Sequence, residues 1–156
     1  MTKVIVIYDS NTGFTEEMAN AVVKGIKEVE EEVELIKVGT PFNISKLEET
    51  DAIILGSPTI YGSISSEMRT FLESVKESKE TNMLKLKNKI GGVFGSYSWD
   101  GGWVIRKLRS EMEALGIKIV APEVSLVNSM IGSPVKIDEN DLKKCSALGR
   151  TVAKSK

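Results

Sequence analysis

The chain has 156 residues, 41% of them hydrophobic and 28% charged, with a net charge of −1, as is typical of one globular domain covering residues 1–156. It has no histidine and one cysteine, Cys145, which excludes an intrachain disulfide, histidine-dependent nucleophiles and the usual zinc sites. Any chemistry would therefore depend on a bound cofactor, on carboxylates or on the backbone. No apolar run approaches the roughly 20 residues that span a bilayer, and no secretory signal is recognisable, so we expect a cytoplasmic protein without membrane contact.

The spacing of apolar residues predicts strands that alternate with helices along the chain. In chain order these are a strand at 4–8, a helix at 15–30, a strand at 33–38, a short helix at 43–49, a strand at 52–56, a helix at 66–76, a strand at 90–95, a helix at 102–115, a strand at 117–127 interrupted at Pro122, and a helix at 138–153. This alternation implies right-handed crossovers and a five-stranded parallel sheet covered on both faces, which is the α/β class.

The fold class indicates where a ligand would bind. In parallel α/β sheets, ligands lie beyond the carboxyl ends of the strands, where the strand order reverses. The loops that follow the first, third and fourth predicted strands should therefore meet at one edge of the sheet. They comprise residues 10–15, 56–62 and 95–102.

The first loop, SNTGFT, places three hydroxyl groups around Gly13 directly before a predicted helix. Free N–H groups and a partial positive charge make a helix N-terminus suitable for an anion, and glycine permits close approach of the backbone. The loop therefore predicts a phosphate site without lysine or arginine, the alternative being a well-capped helix. It matches neither the Walker A loop nor the dinucleotide fingerprint. The candidate phosphate-binding residues are Ser10, Asn11, Thr12, Gly13, Phe14 and Thr15.

The other two loops suit a flat ring. In GSPTIYG, Pro58 should stiffen a turn and the Gly62 peptide can change conformation at low cost. GSYSWDGG places two aromatic residues in a short polar loop, where an exposed ring can stack on a planar ligand. Local packing, or an aromatic lid over the core, is the structural alternative. Together the three loops predict an FMN site, with further candidate residues Pro58, Thr59, Ile60, Tyr61, Gly62, Ser96, Tyr97, Ser98, Trp99, Asp100, Gly101 and Gly102.

These segments resemble the flavodoxin-like FMN-binding domains over essentially the whole chain. SNTGFT matches the family's phosphate loop, Ser/Thr-x-Thr-Gly-x-Thr/Ser, and GSPTIYG is similar to its second flavin loop. FGSYSWDGGW most resembles the flavodoxin domain of A-type flavoproteins (flavo-diiron proteins), whose loop is close to Phe-Gly-Ser-Tyr-Gly-Trp-Ser-Gly-Gly-Ala. Their diiron half has no counterpart in this histidine-free sequence. The resemblance implies a three-layer sandwich with strand order 2-1-3-4-5.

The resemblance also implies roles for the loops. Residues 10–15 would bind the FMN phosphate, residues 59–62 would line one side of the isoalloxazine, and residues 96–102 the other, with Trp99 as the leading stacking residue. The Gly62 peptide would turn to hydrogen-bond the flavin N5–H when the flavin is reduced. Asp100, if it points inward, would lower the potential by repelling a negatively charged reduced flavin.

The function implied by the resemblance is electron transfer, with no catalytic or metal-binding residues in the chain itself. The protein would shuttle electrons between a reductase or ferredoxin and an unidentified acceptor protein, as a monomer or weak homo-oligomer. The alternative is an NAD(P)H-dependent FMN reductase that acts on quinones or similar small acceptors. A response-regulator receiver fits poorly, because Asp9 stands alone at the end of the first strand.

Charge is unevenly distributed along the chain. Residues 1–80 contain 8 Lys/Arg and 15 Asp/Glu, whereas residues 81–156 contain 13 and 7. The concentrated basic excess of a nucleic-acid-binding protein is missing, so we expect no nucleic-acid partner. Arg106, Lys107 and Arg109 form a basic helix face that either meets an acidic partner or is simply solvated. Cys145 is expected to be a core residue.

Overall fold

The computed structural model describes residues 2–29, 31–130 and 133–156. Its strands are β1 Lys3–Tyr8, β2 Glu32–Lys37, β3 Ala52–Ile60, β4 Ser63–Ile64, β5 Ile90–Tyr97, β6 Lys118–Ile119, β7 Val124–Val127, β8 Ser129–Met130 and β9 Ser133–Pro134. Its helices are α1 Phe14–Glu28, α2 Ser66–Glu80, α3 Trp103–Ala114 and α4 Glu139–Lys154, with a short 3-10 helix at Ile44–Glu49. None of the helices in these ranges is long and apolar enough to cross a membrane. Glu30, the predicted end of the first helix, lies outside the described residues.

The main sheet is parallel in the order β2-β1-β3-β5, and β6 and β7 follow each other along the outer side of β5. Because β5 is the fourth predicted strand and β6 and β7 together form the fifth, the predicted order 2-1-3-4-5 is confirmed. β1 is buried from Val4 to Tyr8, since helices cover both faces of the sheet. The continuous apolar run of this segment is what a strand in that position requires.

Each face of the sheet has its own hydrophobic core. Successive residues of a strand point to opposite faces, so that Ile54 joins the core under α1 and α4, whereas Leu55 joins the core under α2 and α3. Met18 and Leu148 pack on the first face, and Met68 lies on the second. The sheet is therefore packed between two helix layers, and its strands fix the positions of the loops at its edge.

The fifth strand is interrupted, as predicted. Ile119 pairs with Gly91 and Val124 pairs with Phe94, so this strand advances five residues while β5 advances three. The two extra residues bulge out of the sheet beside Pro122, which has no N–H to donate to the ladder. Parallel pairing with β5 resumes at once in β7.

The third strand is longer than predicted. It was expected to end at Gly56, but β3 continues to Ile60 because Pro58 still pairs with Ser96 of β5. The prediction that Pro58 stiffens a turn is wrong, since this residue lies within a strand. The site loop proper therefore begins later along the chain than expected.

The helix ends follow local signals with one extension. Asp138 caps α4 by accepting the Asp141 N–H at 2.8 Å, as predicted. Gly116 follows α3 with a φ of 89°, the left-handed conformation that ends a helix. α2 continues to Glu80, four residues past its predicted end, with Thr81 as its last cap.

Candidate functional site

The carboxyl ends of the strands bring the three predicted loops to one edge of the sheet. Tyr8, at the end of β1, pairs with Gly56 of β3, and the Asp9 N–H continues this contact by donating to the Gly56 carbonyl at 3.0 Å. Pro58 of β3 in turn pairs with Ser96 of β5. The loops after β1, β3 and β5 are therefore neighbours at one edge, as the sequence predicts.

Two predicted site residues form a buried hydrogen bond that connects the first loop to the third. The hydroxyl groups of Thr15 and Ser96 lie 3.0 Å apart, and both side chains are buried. Ser96 Oγ also accepts a hydrogen bond from Asn128 Nδ2 at 3.0 Å. These hydroxyls hold the start of α1 against the end of β5, so they support the site rather than face a ligand.

Asn128 was not predicted from the sequence. Its backbone N–H donates to the Tyr97 carbonyl at 2.7 Å, which fixes it beside the third loop. The signal that could have found it is its position directly after β7, at the same edge as the other loops. It belongs to the framework of the site.

The first loop closes around the Ser10 side chain. Ser10 Oγ accepts hydrogen bonds from the N–H of Gly13 at 3.1 Å and of Glu16 at 3.2 Å. Gly13 is the N-cap of α1 with a φ of 96°, and because glycine has no side chain, the Ser10 hydroxyl caps the first turn in its place. Thr15 was predicted at the helix N-terminus, but α1 already begins at Phe14 and the Thr15 hydroxyl is turned to Ser96.

Several amide groups of this loop are free to bind an anion. Within the described residues, four N–H groups have no hydrogen-bond acceptor, those of Asn11, Thr12, Phe14 and Thr15. A side chain built on Gly13 would meet nothing within 4 Å, so the space beside the loop is open. Unpaired donors at the positive end of a helix fit the chemistry of a phosphate.

Carboxylates flank this loop. Asp9 Oδ1 accepts the Ser10 N–H at 2.9 Å. Burial, with a smaller effect of the Glu16 carboxylate and then of Asp9, raises the pKa of Tyr8 above its ordinary 10.0. The Tyr8 phenol is therefore neutral at physiological pH, and any attraction for an anion must come from the amides.

The second loop is a tight hairpin between β3 and β4. Ile60 pairs with Ser63, so the turn consists of Tyr61 and Gly62, with φ of 50° and 76°. Positive φ at both positions is a type I′ turn, which favours Asn-Gly and costs a tyrosine roughly 1–2 kcal/mol. The Tyr61 side chain is fully exposed and gains no packing in return.

Below this hairpin lie two buried hydroxyl groups. Ser57 Oγ donates to the Pro58 carbonyl at 2.8 Å and accepts the Ser65 N–H at 3.1 Å, which ties β3 to the start of α2. Thr59 Oγ1 is buried and has no hydrogen-bond partner among the described residues. An unsatisfied buried hydroxyl at the site edge is a candidate contact for a polar ligand.

The third loop presents an aromatic ring and a capping carboxylate. Trp99 is 78% exposed, which excludes the alternative of a lid over the core for this residue. Asp100 Oδ2 accepts the Val104 N–H at 3.0 Å, whereas its Oδ1 is buried without a partner in the described part of the chain. Ser125 Oγ, on β7, is also buried, has no partner within the ranges that the structure describes, and lies 3.0 Å from a Cβ built on Gly102.

The donor set of these loops fits FMN. Free amides and hydroxyls in the first loop suit the phosphate, and the exposed Trp99 suits a planar ring. The Thr59 hydroxyl, which has no partner among the described residues, lies beside the second loop and suits a polar group of such a ligand.

Comparison with known proteins gives the same result. A family model described as flavodoxin matches residues 6–149. The flavodoxin of Megasphaera elsdenii is 31% identical over 151 residues, which are 96% of this chain and 98% of that protein. A nitric oxide reductase of Moorella thermoacetica is 29% identical over 97% of this chain and 35% of its own length.

A solved structure extends this similarity to the fold. The rubredoxin oxygen:oxidoreductase of Desulfovibrio gigas has a TM-score of 0.84 with 25% identity, over 99% of this chain and 36% of that one. The chain thus spans about a third of this protein and of the Moorella relative. It matches the Megasphaera protein over almost its full length.

Proposed function

Because the chain belongs to the flavodoxin family, whose members bind FMN and transfer electrons, we propose that it binds one FMN in the three-loop site and carries electrons between two redox proteins. A reductase or a ferredoxin would be the donor, and another protein the acceptor. The observation that supports this function is the set of loop amides, between Asn11 and Thr15, that have no acceptor among the described residues.

The first loop would hold the phosphate. Its four free N–H groups would donate to phosphate oxygens, and the exposed side chains of Asn11 and Thr12 would add further donors. α1 presents these groups without a basic side chain because its own dipole favours the negative charge. Since Ser96 ties the base of this loop to the sheet through Thr15, the donors need little reorganisation on binding.

The second and third loops would line the ring. Trp99 supplies an exposed aromatic face, and a stacked base on such a face is stabilised by about 1–3 kcal/mol. Residues 59–62 would cover the other side, with the Gly62 peptide as the group able to turn towards the flavin. Bound FMN supplies one- or two-electron redox chemistry. The carboxylate of Asp100 would disfavour further negative charge nearby and so lower the potential.

Replacement of Thr12 tests the phosphate site. We expect the purified protein to be yellow with one FMN per chain, and Thr12→Val to weaken FMN binding about tenfold through loss of one hydrogen bond to a charged group. Riboflavin, which lacks the phosphate, should bind both proteins equally. Dissociation constants are measured by flavin fluorescence quenching, with the exposed Thr151→Val on α4 as the matched control.

The outcomes separate the candidate functions. A colourless protein that does not bind added FMN would disprove the proposal, and equal loss of FMN and riboflavin affinity would remove the phosphate role of Thr12. A visible spectrum during stepwise reduction shows whether electrons enter one at a time. Rapid reduction by NADPH alone, with turnover of a quinone, would support the reductase instead of the carrier.

A further inference from the structure

Both tryptophans of the chain are exposed at the edge of the sheet that carries the site. Trp99 lies in the third loop, and Trp103 begins α3 one turn further along, with 53% of its surface exposed. Large aromatic residues are normally buried, and exposed ones that gather on one side of a protein mark contact surfaces. Trp99 has a role in the proposed flavin site, whereas Trp103 has none.

Two cations stand beside Trp103. The Lys107 Nζ lies 5.5 Å from the centre of the Trp103 ring, and the exposed Arg106 donates to the Gly101 carbonyl at 3.3 Å. Neither cation forms an ion pair with a carboxylate in the described part of the chain. We call Trp103, Arg106 and Lys107 the α3 patch.

The other charged side chains of α3 form ion pairs. Arg109 lies 3.2 Å from Glu123 and 3.7 Å from Glu113, and Glu111 pairs with Arg69 of α2. The α3 patch is therefore the part of this helix that keeps an unbalanced positive charge. Its position opposes helix stability, because cations near a helix N-terminus face the positive end of the dipole.

Carboxylates near the site do not cancel this charge. Asp100, the nearest in sequence, bonds to the Val104 N–H and forms no ion pair with Arg106 or Lys107 among the described residues, so its single negative charge leaves the two cations in excess. Asp9 directly follows β1, and Glu16 and Glu17 lie on α1, which packs on the opposite face of the sheet. The rim of the site is thus basic on its α3 side.

We propose that the α3 patch is the docking surface for an acidic electron-transfer protein. This inference rests on the proposed function and adds the chemistry of the partner. Trp and Arg are the residues most often found at the centre of binding energy in interfaces, and paired opposite charges guide the approach of a partner. The patch adjoins Gly102, the last residue of the third loop, so a protein bound there would lie next to the flavin loops.

Titration of the FMN-loaded protein tests the proposal. The probes are a ferredoxin, as a small acidic redox protein, and a c-type cytochrome, as a basic one. Binding is followed through the two indole N–H signals in NMR spectra. We expect the ferredoxin to shift the Trp103 signal, with affinity that falls as ionic strength rises. Lys107→Glu should weaken this binding about fivefold, and Trp103→Ala about tenfold.

The matched control is Lys24→Glu, an exposed lysine of α1 on the other face, which should change ferredoxin affinity by less than about twofold. Equal losses for Lys107→Glu and Lys24→Glu, tighter binding of the cytochrome at Trp103, or no ferredoxin binding at low ionic strength would each overturn the proposal. FMN content is measured on the same samples. A protein without FMN refutes the electron carrier, whereas a protein that keeps FMN and ignores ferredoxin refutes only the docking surface.

Discussion

The two faces of the sheet are packed in different ways. On one face, α1 and α4 approach so closely that a Cβ built on Gly25 would lie 2.0 Å from the Ser146 carbonyl oxygen, and one on Gly149 would lie 2.1 Å from that of Val22. On the other face, a cavity of about 780 Å³ lies between α2 and α3. The Arg69–Glu111 ion pair bridges these two helices.

The difference follows from the residues at the helix contacts. Glycines let two backbones touch, whereas the larger side chains of α2 and α3 keep these helices apart above an apolar floor. The floor is formed by Leu72, Leu84, Leu86 and Leu115. The helix that carries the candidate phosphate loop is thus the closely packed one, and the helix that carries the α3 patch borders the open side.

Adding a methyl group at the glycine contact between α1 and α4 should have the largest effect on stability. We expect Gly25→Ala to lower the free energy of unfolding by about 3 kcal/mol or more, because the new methyl group meets backbone that cannot move aside. Urea denaturation measures the change. Gly92→Ala is the graded control, since its Cβ would meet the flexible end of Leu148 at 2.9 Å. Similar losses for both variants would show that the backbone contact is not what distinguishes this face.

The pH dependence of stability reports on the burial of Cys145, which lies in the core on the same face of the sheet. Burial, and then the Asp141 carboxylate, raise the pKa of this thiol to about 12, against 9.0 for an ordinary thiol. Between these values the unfolded state binds fewer protons than the folded state, so stability falls as pH rises. From about pH 8 to pH 10, the wild type should lose about 1 kcal/mol more than Cys145→Ala. Parallel pH profiles would mean that the thiol ionises freely in the folded protein.

The smallest effect is expected on the open face. Two N–H donors of Arg69 reach both carboxylate oxygens of Glu111, with Nη2 and Oε2 3.2 Å apart, but both side chains are about one-third exposed. A double-mutant cycle of Arg69→Ala and Glu111→Ala should give a coupling of about 0.5 kcal/mol that salt weakens. A coupling as large as the Gly25→Ala effect would mean that the ion pair, rather than side-chain packing, holds this face together.

Most of the fold could be predicted from the sequence because the strands are short, apolar and separated by clear helix signals. The break at Pro122 follows the prediction from the residues, and the strand order follows the prediction from the family resemblance. The end of the third strand differs from the prediction. Proline is a turn signal in its local sequence, but Pro58 is held in the sheet by its pairing with Ser96. Long-range pairing of this kind has no local signature.

The candidate site shows the same division. The three loops and their meeting point could be predicted because parallel strands end at a common edge. The use of each hydroxyl could not, because it depends on neighbours far along the chain: Thr15 bonds to Ser96, and Asn128 bonds to Ser96 as well. Sequence patterns therefore predict a candidate site, and the contacts separate its framework from its exposed groups.

The bulge beside Pro122 has a consequence for protein engineering. The edge strand leaves the ladder after Val120, whose N–H donates to the Gly91 carbonyl at 3.1 Å, and returns at Val124. The segment between them already departs from the pairing register, so a longer segment spliced in here would leave the flanking pairs intact. This makes the bulge the natural place to graft a reporter or a binding peptide onto the scaffold.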